Sequence, residues 1–425
     1  MRTTLGILFT CLLGFAASAA SFVHGPYSGA PSANSIAISW LSSERIAARA
    51  EYSLLSDYEI SGAFSYSVDA PLIESGSALQ TEHVVLQSLK PDTEYVYRVV
   101  LDGSEGDERD VASALGHFVT EPPTGQTVSF AIVSDTQWQW EGDNRLAVVG
   151  NAVAADQTPF DFVLHAGDIV ESPAAQYWDH WFASFGSMLL RAPFIPVLGN
   201  HERNHHSYYD GFAHPPGGGK QDERWWALHW GDVVVVGLDT NVTQATDYIA
   251  QQEWARQHLS GPEPHKIVMF HHPVYSSDAY HGNGYGLERI FRRIFVDTGV
   301  DLVINGHAHN YERIERDGIT YLIVGGGGAV PRELADILVD GSRVATEGYN
   351  FYLRVEASLE GLAVEAVSVA QAEDDAFQLT DGHLLDSFKL PADAPALAIS
   401  TWLLVLMGLL GAAIVGFLLI RGLHR

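Results

Sequence analysis

Cysteine is almost absent: the only one in 425 residues is Cys11. It lies in a leader-like apolar stretch, so the folded body has no disulfide and no thiolate, which excludes cysteine nucleophiles and Cys-based zinc sites. Basic residues are scarce as well. Lys and Arg number 24 against 52 Asp and Glu, a formal charge of -28, and a field of that sign repels nucleic acid and anionic lipid. An anionic substrate would have to be met by local cations, for which bound metal ions are the natural source when Lys and Arg are few. The same acidity also suits a solvated surface that keeps an exported protein soluble. Two further absences narrow the chemistry: no glycine-rich phosphate loop follows the first α/β strand, and no Gly-x-Ser-x-Gly elbow occurs. The run 325–328 is all glycine but comes late, after a predicted β-hairpin, so no dinucleotide or serine-hydrolase fingerprint is present.

What is present is an ordinary globular composition, with 47% hydrophobic and 18% charged residues, in a chain long enough for two folded domains. The ends read as targeting segments. Arg2, the apolar run 5–16 and the small-residue site Ala17-Ser18-Ala19 predict a secretory signal over 1–19. Residues 397–420 are 24 uncharged positions followed by Arg421 and Arg425; this exceeds the ~20 residues a bilayer core requires, and the basic end belongs in the cytoplasm. The segment predicts a C-terminal transmembrane anchor with the body outside, or, with Ser400-Thr401-Trp402 before the apolar run, resembles a bacterial sorting tail cleaved after export.

Between 22 and 121 the pattern is all-β. Ile36, Ile38 and Trp40 alternate with Ala37 and Ser39, and Tyr95, Tyr97 and Val99 alternate later. The stretch from Leu89 through Pro91 and Thr93 to Tyr95 carries the tyrosine-corner arrangement of immunoglobulin-like and fibronectin type III sandwiches, with Trp40 as the core tryptophan. From 126 to 370 apolar strands alternate with helix-like stretches, predicting a layered α/β domain, followed by a linker over 371–396. Trp178, Trp181, Phe182 and Phe185 are spaced for one helix face, as are Leu287, Ile290, Phe291 and Ile294.

The strand ends carry the chemistry. In order they read Ser134-Asp135-Thr136-Gln137, Gly167-Asp168-Ile169-Val170-Glu171, Gly199-Asn200-His201-Glu202, His271-His272-Pro273 and Gly306-His307-Ala308-His309. Five apolar strands thus deliver Asp, Asn or His at their carboxyl ends, where open α/β sheets bind ligands. Hard and borderline donors without thiols suit two divalent or trivalent ions such as iron, manganese or zinc.

In this order the motifs resemble the calcineurin-like metallophosphoesterase superfamily. The run Asn305-Gly306-His307-Ala308-His309-Asn310-Tyr311-Glu312-Arg313, with the fibronectin-like domain before it, resembles the purple acid phosphatase branch. The resemblance implies a four-layer α/β metallophosphoesterase sandwich preceded by an all-β fibronectin III-like sandwich. It implies Asp168 bridging two metals, Asp135 and His309 holding the first, and Asn200, His271 and His307 holding the second. His201 would then protonate the leaving alkoxide and His281 would contact substrate. Two ions in such a centre lower the pKa of a bound water, so that hydroxide attacks phosphorus in line.

The chain departs from the family pattern at two positions. Where the purple branch has Tyr three residues after the bridging Asp, this chain has Glu171; where the wider superfamily has His two residues after the first Asp, it has Gln137. Either Gln137 or Glu171 could complete the first site, or a water could, and without the tyrosine the protein is predicted not to be purple. The reading is an exported phosphatase acting on small phosphomonoesters, with no nucleic-acid partner and a membrane contact only through its C-terminal segment. A phosphodiesterase or nucleotidase on the same metals, and a surface binding protein whose metal site has decayed, are the alternatives. His205, His206 and His214 are read as solvated or lid residues, Trp225, Trp226 and Trp230 as core, and Arg313 as an ion-pair residue.

Overall fold

The computed structural model describes residues 20–70, 81–103, 110–137, 142, 144–219, 223–242, 244–282, 286–373 and 376–392. Both the signal predicted over 1–19 and the membrane or sorting segment predicted over 397–420 lie outside these residues. Among the described residues no helix is long and apolar enough to cross a membrane.

The described strands between Phe22 and Val119 form two sheets packed face to face. One holds Phe22–Gly29, Ser35–Ser42 and Glu82–Gln87; the other orders Tyr66–Ala70, Ala48–Leu54, Glu94–Leu101 and Val111–Ala112, with Gly116–Val119 also paired to Glu94–Leu101. Ile36, Ile38, Trp40 and Leu86 from the first meet Ala50, Tyr97, Val99 and Leu101 from the second in one core. The Tyr95 hydroxyl accepts the Lys90 N–H at 2.9 Å, the upstream bond expected of the corner tyrosine. One expectation changes: Ala37 and Ser39, the polar side of the alternation, are buried too. The second domain covers that face. Ser39 Oγ lies 2.7 Å from His83 Nδ1, His83 Nε2 lies 3.0 Å from the Asp210 carbonyl, and Tyr27 packs on Phe182 and Phe212.

The second domain stacks two mixed sheets between helices. The first sheet runs Phe194–Pro196, Phe162–His165, Val128–Val133, Tyr349–Ser358, Gly361–Glu373, Ala376–Leu379; the second runs Gly217–Gly218, Trp225–Trp230, Val233–Gly237, His265–Met269, Leu302–Asn305, Ile319–Val324, Tyr311–Arg316, Ser342–Thr346. Phe130, Ile132 and Leu164 interdigitate with Val235, Ile267, Met269 and Ile304 between the sheets. Helices Arg145–Ala155 and Ala175–Leu189 cover the outer face of the first sheet, the latter burying Trp178, Trp181, Phe182 and Phe185. Ala245–Leu259 and Leu287–Thr298 cover the second, although Ile290 is only partly buried in the Leu287, Phe291, Ile294 stripe. Trp225, Trp226 and Trp230 are core, as read.

Of the linker predicted over 371–396, the described residues 371–373 and 376–391 are largely strand. Gly361–Glu373 runs on as strand, Ala376–Leu379 and Leu384–Pro391 both pair with it, and Asp386 is bound by the Tyr311 hydroxyl at 2.8 Å and by Arg313 Nε at 2.7 Å. Polar outward positions on an edge strand read like a linker because only one face is packed. Parallel pairing decides where the site lies. Val128–Val133, Phe162–His165 and Phe194–Pro196 run parallel, as do Val233–Gly237, His265–Met269 and Leu302–Asn305, so six carboxyl ends face the same side.

Candidate metal centre

Four predicted ligands converge on one point. His271 Nε2 is 3.0 Å from Asp168 Oδ2, 3.1 Å from Asn200 Oδ1 and 3.3 Å from His307 Nδ1. The other nitrogen of His271, Nδ1, donates to the Ala166 carbonyl at 2.9 Å. That bond fixes the tautomer, so Nε2 turns a lone pair toward the oxygens of Asp168 and Asn200. Only a cation or a proton between them relieves such a meeting of lone pairs, and an imidazole oriented by a backbone carbonyl is the usual metal-ligand arrangement. Asp168, His271 and His307 are all buried and present one donor each within 4.8 Å of one another.

The first position is built from fewer groups. His309 Nε2 lies 3.4 Å from Asp135 Oδ1, while His309 Nδ1 donates to the Val330 carbonyl at 2.9 Å. Gln137, wholly buried, reaches Asp168 Oδ2 through its amide nitrogen at 3.2 Å, and its Oε1 has no hydrogen-bond partner. An orphaned buried amide oxygen on a side chain bonded to the Asp168 carboxylate fits an oxygen-rich cation site. Glu171 lies elsewhere: its carboxylate is 3.6 Å from His201 Nδ1.

Local backbone geometry supports this convergence. Asp135, Asp168 and His307 have φ of 56°, 55° and 71°, a left-handed region that costs non-glycine residues energy and that clusters at functional sites. Asp135 is held there because the His307 N–H donates to both its oxygens, at 3.0 and 2.9 Å, and the Ser134 hydroxyl donates at 2.7 Å. Gly199 is required by contact: a Cβ there would lie 2.0 Å from the Asp168 nitrogen and 2.2 Å from its Oδ1. Glu202, fully buried, accepts four backbone N–H groups, from Gly199 at 2.7 Å, Asp168 at 3.2 Å, Ile169 at 2.7 Å and Val170 at 3.1 Å. It ties the loop of Asp168 to the loop of Asn200.

The electrostatics match a cation-binding pit. Burial would push the Asp135 carboxyl up, but His309, His271 and Ser134 bring it down to about 2. Asp168 is likewise lowered, against its burial, chiefly by His271. His271 is pushed the other way: burial lowers it, but Asp168 and then Asp135 raise it to about 9. His307 is lowered by burial and by His271. Glu202 is pushed up to about 7 by burial and by Asp168, with its backbone donors pulling down.

His201 stands beside the pit. Its N–H donates to Asp168 Oδ1 at 2.8 Å, its Nδ1 donates to the Glu171 carbonyl at 2.8 Å, and Nε2 is 3.8 Å from Asp168 Oδ2. Burial lowers its pKa but Asp168 and Glu171 raise it further, for a net rise. His281 packs its ring 3.9 Å from that of His307. His272 is bound through Nδ1 to Thr240 Oγ1 at 2.8 Å and is lowered to about 3 by burial and His271. Of the loop histidines, His206 is exposed and His205 caps the short helix His206–Gly211, but His214 is buried against the Tyr208 hydroxyl at 2.9 Å rather than solvated.

Two features were not found from sequence. Glu202 was quoted within its motif without a role, although an acid directly after the Asn-His pair was a visible signal. The other is the loop from the glycine run to Arg332. Gly327 and Ala329 donate to the Ser134 and Asp135 carbonyls at 2.8 and 2.9 Å, and the Arg332 N–H donates to His309 O at 2.9 Å, strapping both first-position ligands. A Cβ on Gly327 would lie 2.2 Å from the Ser134 oxygen. Nothing in the local sequence linked this run to a site almost 200 residues earlier.

Comparisons with known proteins agree with this geometry. Residues 128–311 match the family model described as calcineurin-like phosphoesterase. Purple acid phosphatase 1 of Ipomoea batatas is 28% identical over 266 residues, 57% of this chain and 54% of that protein. Fe(3+)-Zn(2+) purple acid phosphatase 12 of Arabidopsis thaliana is 26% identical over 253 residues, 56% and 47% of the two. The chain spans about half the length of the curated relatives it matches. Among solved structures, purple acid phosphatase PPD1 from yellow lupin (Lupinus luteus) superposes with a TM-score of 0.71 at 19% identity, covering 87% of this chain and 74% of that one; these values show a shared fold. Every donor described above lies within the matched stretch, and the family match with its purple acid phosphatase relatives supports a calcineurin-like metallophosphoesterase domain over 128–311.

Proposed function

We propose that the protein is an exported phosphatase that uses two metal ions to release phosphate from small monoesters. The observation that carries this reading is the meeting of Asp168, Asn200 and His307 donors on the free nitrogen of His271, next to the Asp135 and His309 pair. Asp135, Asp168 and His309, with Gln137, would hold the first ion, and Asp168, Asn200, His271 and His307 the second; iron, manganese or zinc fits such donors. When bound, the ions neutralise phosphate oxygens and make a water nucleophilic at ordinary pH. His201 supplies the proton. With Nδ1–H committed to the Glu171 carbonyl and its pKa raised, the protonated ring carries a second N–H on Nε2, which can pass to the departing alkoxide. The neutral Asn200 amide limits negative charge, so the centre can accept an anionic ester despite the acidity of the chain. The fibronectin III-like domain is read as a support: His83 and Tyr27 bond to the Asp210 and Gly211 carbonyls, and among its described residues none is assigned to the centre.

The test is metal content measured alongside turnover. The parent protein should bind two ions and hydrolyse a monoester faster than a diester. His201→Ala should keep both ions but lose roughly 100- to 1000-fold in kcat, whereas a parent that binds no metal and hydrolyses neither ester would sink the proposal. No charge-transfer colour is expected from the loaded protein, since Glu171 stands where the purple branch has tyrosine.

A further inference from the structure

Arg332 lies on the rim of the centre, outside the matched stretch. Its guanidinium donates through Nη1 to His281 Nε2 and to the His307 carbonyl at 3.4 Å, and lies 5.0 Å from the centre of the exposed Tyr280 ring. Its backbone N–H is fixed on His309. One imidazole therefore separates this cation from a predicted ligand, since His281 stacks on His307 at 3.9 Å. Three other arginines of this domain are each paired with a buried carboxylate: Arg224 with Asp239 at 2.5 Å, Arg313 with Asp386 at 2.7 Å, and Arg354 with Asp156 at 2.7 Å. Among the described residues no carboxylate pairs with Arg332, although the chain carries 52 acidic groups. A guanidinium kept free of carboxylates, with several of its five donors uncommitted, is built to meet an oxyanion in two-point geometry.

The charge of the substrate decides what such a group can select. Near neutral pH the terminal phosphate of a monoester approaches two negative charges because its second pKa is about 6; a diester carries one. Two metal ions meet both alike, so an extra fixed cation at the rim favours the form with the extra charge and the additional terminal oxygen.

We propose that Arg332 contacts the terminal phosphate oxygens of the substrate and sets the preference for monoesters over diesters. This rests on the phosphoester-hydrolase reading above. The experiment compares the parent, Arg332→Ala and Arg332→Lys as metal-loaded full chains at pH 7.5, on p-nitrophenyl phosphate and bis(p-nitrophenyl) phosphate, with metal content counted and inorganic phosphate titrated calorimetrically. The alanine variant should lose roughly 10- to 100-fold in kcat/KM on the monoester and less than about threefold on the diester. Its phosphate affinity should fall about tenfold, the lysine variant should recover part of both losses, and metal content should not change. Equal losses on the two esters, unchanged phosphate affinity, or loss of metal in the variants would overturn the assignment. If the parent binds two ions but hydrolyses neither ester, the proposed activity fails, and the phosphate titration alone still decides whether Arg332 is an oxyanion contact.

Discussion

The two halves of the metal centre are built from the same kinds of loop but differ in how completely their donors are supplied. At the second position, Asp168, Asn200 and His307 reach a single nitrogen of His271 within 3.3 Å, and Glu202 fastens the loops that carry Asp168 and Asn200. At the first, Asp135 and His309 are 3.4 Å apart and the next donor is a neutral amide, Gln137. Its strap is the glycine-rich loop rather than a carboxylate. The difference teaches that rigidity and donor strength are separable: both groups of side chains are held by buried backbone bonds, but the proposed second position gathers more strong donors than the proposed first.

Breaking the richer half should cost most. Asn200→Ala should remove the second ion and lower kcat on a monoester by roughly 100- to 1000-fold; retention of two ions per chain would show that the amide is dispensable. Glu202→Ala leaves four backbone N–H groups without their acceptor and should destabilise the domain by about 3 kcal/mol, read as a lower denaturation midpoint in urea. An unchanged midpoint would mean that water replaces the carboxylate. The poorer half should be more forgiving. Gln137→Ala is expected to weaken the first ion roughly 10- to 100-fold while the second stays bound, and unchanged stoichiometry under limiting metal would point to Glu171 or a water instead. At neutral pH the smallest effect concerns a histidine outside the centre. His214 is held neutral by burial, with its pKa lowered to about 3. A histidine with a depressed folded pKa contributes stability that is complete above its ordinary value near 6.5 and is lost as pH falls toward 3, at up to ~1.4 kcal/mol per pH unit. His214→Gln should make stability between pH 4 and 6 less steep in pH than that of the parent; parallel curves would contradict the assignment.

The donor set was legible in sequence because each donor follows an apolar strand directly, and six parallel strands must end on one side. Asp135, Asp168, Asn200, His201, His271, His307 and His309 are where that logic put them, and the corner tyrosine bonds as its motif requires. Gln137 and Glu171 were indistinguishable in sequence, since each offers an oxygen near the first position. In the structure the Gln137 amide bonds Asp168 and the Glu171 carboxylate lies 3.6 Å from His201 Nδ1. The described residues between 371 and 391 were misread because an edge strand with one solvated face has the composition of a linker.

The amino-acid sequence alone therefore determined the kinds of donor, their order, and the strand ends that carry them, because period-2 and helical patterning are local properties. Tertiary structure decided what depends on contacts between distant segments: which oxygen faces which ion position, that Glu202 and the 325–332 loop act as straps, that the sandwich buries a second face, and that Arg332 reaches the rim. Those are properties of packing between elements up to 200 residues apart, and no local pattern encodes them.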